Sequence, residues 1–111
     1  SAVTLGNNTI FSSSAGGAIG FASTIDGAVE LSVNTAGATI FGGAIGGTTA
    51  LTCVTTNTGG TVNLNGGTVT TTGAQTYGEA VTLGLDTTLS GNTISFADTI
   101  NGARALTIAL G

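Results

Sequence analysis

Few side chains in this chain are able to do covalent or acid–base chemistry. The inventory is five carboxylates (Asp26, Glu30, Glu79, Asp86, Asp98), one thiol (Cys53), one phenol (Tyr77) and one cation (Arg104), with no His. Without His there is no imidazole general base for a Ser or Cys nucleophile, and no ordinary zinc site. A single Cys excludes a disulfide within the chain. One cation against a formal net charge of −4 leaves nothing to neutralise a phosphate backbone, so nucleic acid is not an expected partner. The inventory predicts no enzyme, no cofactor and no metal.

Each remaining candidate has a plainer reading. A glycosidase needs two facing carboxylates. Asp26 and Asp98 fall at different offsets from the aromatic residues that precede them, Phe21 and Phe96, so no acidic column forms. The acids therefore read as solvated turn and surface residues. Calcium-binding repeats of the Gly-Gly-x-Gly-x-Asp type are absent, because neither Gly42-Gly43 nor Gly46-Gly47 is followed by the required Gly and Asp. Cys53 has no basic neighbour in sequence to lower its pKa, and reads as a small core residue. Arg104 is expected to pair with an acid on an adjacent repeat such as Glu30, a contact worth about 0–1 kcal/mol at a surface.

The Thr-rich stretches 55–61 and 68–72 are the strongest non-structural signal. Flat, regular Thr arrays occur on ice-binding solenoids, where they match a water lattice. A dedicated ice face would carry Thr-x-Thr in every repeat, and the repeat opening at Phe21 has Ser23-Thr24 instead. Thr is also simply a good outward strand residue.

The elements that carry these residues follow from composition. Charged residues are 5% of the chain and hydrophobic residues 41%, which argues against disorder. Gly, Thr, Ser, Val, Ile and Asn dominate; these are weak helix formers and good strand or turn residues. The apolar runs are far shorter than the ~20 residues of a membrane helix. Four Phe and one Tyr cannot build the aromatic girdles of a membrane barrel. The expectation is an all-β protein that is not membrane-embedded.

An internal repeat narrows this further. Segments beginning at Phe21, Phe41 and Phe96 all obey F-x-x-x-I-x-G-x-x-x-L. The matched columns are Phe21, Phe41 and Phe96; Ile25, Ile45 and Ile100; Gly27, Gly47 and Gly102; and Leu31, Leu51 and Leu106. Two residues on, Val33, Cys53 and Ile108 extend the core columns. Tyr77 opens a looser unit that puts Val81 in the Ile column. The first two units are 20 residues apart, and Tyr77 precedes Phe96 by 19.

A period near 20 residues predicts a parallel β-solenoid over 1–111 as a single domain, with about five to six rungs at ~4.7–4.9 Å each. One rung cannot bury its apolar side alone, whereas a stack encloses a continuous core. Pro would break an inter-rung ladder, and the chain has none. Gly27, Gly47 and Gly102 follow Asp, Gly and Asn, as turns with φ > 0 require. Val29, Leu31 and Val33 alternate with Glu30 and Ser32, as a half-buried strand does.

With FGGAIGGTTALTCV opening 41–84 and GNTISFADTINGARALTIALG at 91–111, the chain resembles the repeat region of filamentous haemagglutinin-like and autotransporter adhesins of bacteria. The resemblance implies a right-handed parallel β-helix, export from the cell, and a place at the cell surface or beyond. It brings no catalytic residues. The Asn-Pro-containing secretion motif of that family is missing, so the chain reads as shaft. Asn7-Asn8-Thr9 fits a glycosylation sequon, a chance match in a bacterial product. Residues 1–5 and 106–110 both look like interior rungs without caps. The expectation is therefore a piece of a longer rod or a subunit that stacks on itself head to tail, contacting a host or neighbouring cell surface. The alternative is an ice- or carbohydrate-binding solenoid module.

Overall fold

The computed structural model describes residues 2–13, 16–57 and 59–110. Within them the chain is all β: fifteen short strands, no helix, and every strand pairing parallel. The chain winds past three faces in turn, making a solenoid of about five turns with strands about 20 residues apart. The first face holds β1 (Val3–Thr4), β4 (Ile25–Asp26), β9 (Thr68–Thr70), β12 (Thr87–Gly91) and β15 (Leu106–Leu110). Ile45 bridges β4 to β9 where a strand is missing. The second face holds β2 (Thr9–Ser13), β5 (Glu30–Thr35), β7 (Cys53–Thr56), β10 (Ala74–Tyr77) and β13 (Thr93–Phe96). The third holds β3 (Ile19–Phe21), β6 (Ala38–Phe41), β8 (Thr61–Leu64), β11 (Ala80–Leu83) and β14 (Ile100–Asn101).

Period-two alternation turns one residue in two inward, and parallel register stacks these into columns. Val3, Ile25, Ile45, Val69, Leu89 and Ile108 run up the first face. Leu31, Val54, Gln75 and Ile94 run up the second, beside Phe11, Val33, Thr56, Tyr77 and Phe96. Ile19, Thr39, Val62, Val81 and Ile100 run up the third, beside Phe21, Phe41, Leu64 and Leu83. Rings stack within the columns: Phe21 on Phe41 at 5.4 Å, and Tyr77 on Phe96 at 5.2 Å. The molecule measures 35 × 33 × 24 Å.

The expected columns hold in part. Phe21 lies on Phe41, Ile25 bridges Ile45, and Val81 lies beside Ile100. Phe96 and Ile100 do not join the Phe21 and Ile25 columns. The third copy of the motif is displaced by one face: Phe21 to Ile25 turns from the third face to the first, whereas Phe96 to Ile100 turns from the second to the third. The motif is a requirement of a corner, with an inward residue on each side of it, and any corner can use it.

The Leu column also breaks. Ile25 and Leu31 are six residues apart, but the residues paired with them, Ile45 and Val54, are nine apart. The longer corner puts Val54 under Leu31, sets Leu51 opposite Thr71, and brings Cys53 into register with Glu30 instead of Val33. Leu106 pairs with Thr87, and Ile108 with Leu89. Ile108, on the outermost described coil, is 46% exposed.

Of the turn glycines, Gly27 and Gly102 do have φ of 138° and 130°. A Cβ on Gly27 would strike the Leu5 carbonyl oxygen, and one on Gly102 would come within 2.6 Å of that of Leu83. At the middle position Gly46, not Gly47, takes the positive φ, at 72°. Gly47 is exposed, and its Cβ would make only an ordinary contact with Ala44.

Candidate functional site

Two of the five acids, Asp26 and Asp86, bond between coils. Asp26 Oδ1 accepts from the backbone N–H groups of Thr48 at 2.9 Å and Thr49 at 3.0 Å, one coil on. Asp86 Oδ1 accepts from Ala105 N–H at 3.0 Å, again one coil on. Asp98 holds its own turn through Thr99 N–H at 2.8 Å. Asn8 and Asn57 do the same work, accepting from the N–H groups of Glu30 and Thr35. Corners interrupt the regular ladder, and short Asp and Asn side chains satisfy the backbone donors left there. Arg104 precedes β15 on the last coil, while Glu30 opens β5 on the second face, so the expected ion pair has no basis in the fold. Cys53 is half-buried at the start of β7, with the outward parity of Thr55, and is not a core residue.

Glu79 departs from the expectation of a solvated acid. It sits between β10 and β11, is 2% exposed, and neither carboxylate oxygen has a hydrogen-bond partner. Burial pushes its pKa up; the nearby Thr56 hydroxyl opposes this without reaching the geometry of a hydrogen bond. The structure also places a polar network in the core that the sequence did not suggest. Tyr77 OH donates to Gln75 Oε1 at 2.8 Å, and Gln75 Nε2 donates to the carbonyls of Val69 at 3.1 Å and Ser90 at 2.9 Å. The network ties the second face to the first. Burial holds the Tyr77 phenol well above its ordinary pKa, so it stays a donor. The available signal was parity: Gln75 is two residues from Tyr77 and so shares its inward side.

The Thr stretches split between the two sides of the wall. Thr56 and Thr71 are buried, while Thr55 and Thr72 are exposed. Two outward hydroxyl ladders result. On the first face Thr68, Thr88 and Thr107 are in register, with Thr70 and Ser90 beside them. On the second, Ser32, Thr55, Thr76 and Ser95 span four coils in register. The ladder spacing is that of the strands, ~4.8 Å. A shallow groove of about 440 Å³ opens between Thr72, Asn92 and Leu110 at the corner leading out of the first face. Among the described residues no group of three or more His, Cys, Asp or Glu converges to hold a metal, and no helix is long and apolar enough to cross a membrane.

No protein-family model, curated protein or solved structure matches the chain.

Proposed function

We propose that the chain is a non-enzymatic structural segment of an extracellular bacterial surface fibre or adhesin, whose coils stack end to end into a rod. The observation that carries this reading is the state of the two end coils. Among the described residues, each has a row of strands on all three faces with one edge unpaired. Their inward residues are incompletely covered: Val3, Phe11 and Ile19 at one end, Phe96, Ile100 and Leu106 at the other, are half-buried, and Leu110 is 64% exposed. Stacked head to tail on a second copy, or continued by further coils, Phe96 would meet a Phe11, Ile100 an Ile19, and Ile108 a Val3. Apolar columns and hydrogen-bond ladders would then run on without a break. The resemblance to adhesin repeats supplies the setting at the bacterial surface.

Cryo-electron microscopy of the purified chain tests this reading. Filaments whose averaged power spectrum has a meridional layer line near ~4.8 Å are expected. Discrete particles at every concentration would overturn the stacking.

A second reading, an ice- or carbohydrate-binding module, is favoured by the two in-register hydroxyl ladders, on faces that carry almost no charge. Thermal hysteresis in a freezing assay, or retention on insoluble polysaccharide, would support it; neither is expected of a plain shaft.

A further inference from the structure

The corner that holds Glu79 is closed from both sides. Between Tyr77 and Val81 the chain keeps a constant offset of 19 residues from the coil that follows, with Tyr77 paired to Phe96 and Val81 to Ile100. Glu79 and Asp98 therefore occupy equivalent positions on successive coils. Backbone bonds clamp the corner: Gly78 N–H to Thr56 C=O at 3.2 Å, Ala97 N–H to Tyr77 C=O at 2.9 Å, and Val81 N–H to Thr99 C=O at 2.8 Å. Inside this clamp a carboxyl group is buried with neither oxygen hydrogen-bonded.

An ionised carboxylate cannot stay there. Taking it out of water without a hydrogen-bond or ion-pair partner is strongly unfavourable. The coil before offers Thr56, whose nearby hydroxyl offsets burial only in part, and Asn57, neither of them charged, and the coil after offers Ala97, Asp98 and Thr99. The one charged residue at the equivalent corner of the next coil is another acid, exposed Asp98, whose Oδ1 bonds Thr99 N–H in its own turn and which supplies no cation. Tyr77, two residues away, keeps its proton and bonds Gln75. Arg104 lies before β15, at a different corner. No cation among the described residues reaches Glu79, so the group that can neutralise it is a proton.

We propose that the Glu79 corner is a proton-operated latch: with the carboxyl neutral the corner packs shut between its neighbouring coils, and when the proton leaves to solvent the corner opens so that the carboxylate reaches water. Closure is then favoured by mild acid, and the solenoid has one loosening point between β10 and β11 under alkaline conditions.

Amide hydrogen exchange of the whole chain between pH 5 and pH 8 tests the latch. After correction for intrinsic base catalysis, protection of the Gly78, Val81 and Ala97 amides is expected to fall, by at most about tenfold per pH unit, as pH rises from the ordinary carboxylate range towards the raised Glu79 midpoint, and to level off above it, as one linked proton requires. The Gly46 amide, bonded to Ile25 C=O on the first face, is expected to keep its protection. Glu79→Gln is expected to remove the pH dependence at the corner. Flat protection in the wild type, an equal loss at Gly46, or an unchanged slope in Glu79→Gln would each overturn the latch. Should Glu79→Gln fail to fold, a carbon-13 NMR titration of the wild-type carboxyls decides: a Glu79 midpoint above those of the other four acids is expected, and one in the ordinary carboxylate range sinks the proposal.

Discussion

The Tyr77 hydroxyl donates a 2.8 Å hydrogen bond to Oε1 of Gln75, and both side chains enter the core from the same strand, two residues apart. Gln75 then spends its amide N–H groups on two carbonyls of the first face. A buried polar group costs nothing extra only while every partner is present.

Replacing Gln75 with Leu therefore strands the Tyr77 hydroxyl and two carbonyl acceptors. A loss of about 2–4 kcal/mol is expected, against about 1 kcal/mol for Tyr77→Phe, which removes one donor. The double variant is expected to lose less than the sum, because the second change removes a group the first left unpaired. Chemical denaturation of the four proteins measures the coupling; strict additivity would mean the bond contributes nothing.

Gly27→Ala and Gly102→Ala each place a Cβ against a carbonyl of the preceding coil at a φ that L residues avoid. The dihedral alone costs about 1–3 kcal/mol. Gly47→Ala, with neither obstacle, is expected to change the midpoint of unfolding little. Equal effects at Gly27 and Gly47 would contradict the turn geometry.

Asp26 bonds two backbone donors of the next coil through one oxygen. Asp26→Ala is expected to cost about 1–2 kcal/mol, as loss of a capping acceptor does. Asp26→Asn keeps an acceptor oxygen and is expected to retain most of that stability. Thermal unfolding of both variants checks this. If the two lose the same amount, charge and not the hydrogen bond is what matters there.

The pKa of Glu79 is raised in the folded state, so the native protein binds its proton more tightly than the unfolded chain does. The resulting stability is fully present below the unfolded carboxyl pKa and is lost as pH rises through the folded one, by at most about 1.4 kcal/mol per pH unit. The wild-type melting temperature is expected to fall between pH 5 and pH 8. That of Glu79→Gln is expected to stay level across this window and to exceed the wild type at pH 8. Parallel profiles for the two proteins would refute the assignment.

Much of this architecture is written locally. Absence of Pro, the surplus of Thr, Val and Gly, and the spacing of Phe21 to Phe41 and of Tyr77 to Phe96 determine a parallel solenoid with a coil of about 20 residues. So do the inward pairs Leu31 with Val33 and Phe41 with Ile45. Each depends on period-two alternation and on what a corner demands of its flanking residues, and a single strand with its turn contains that information. Which face a strand joins is a different matter. It depends on the summed length of all the corners before it, and the extra residues between Ile45 and Val54 shift everything downstream without altering any local motif. Only the tertiary structure therefore decided that Phe96 stays out of the Phe21–Phe41 column, that Cys53 stands beside Glu30, and that Gln75 reaches carbonyls of the first face. The same holds for Glu79, whose type reads as surface in any window of sequence, while its burial comes from coils about 20 residues away on either side.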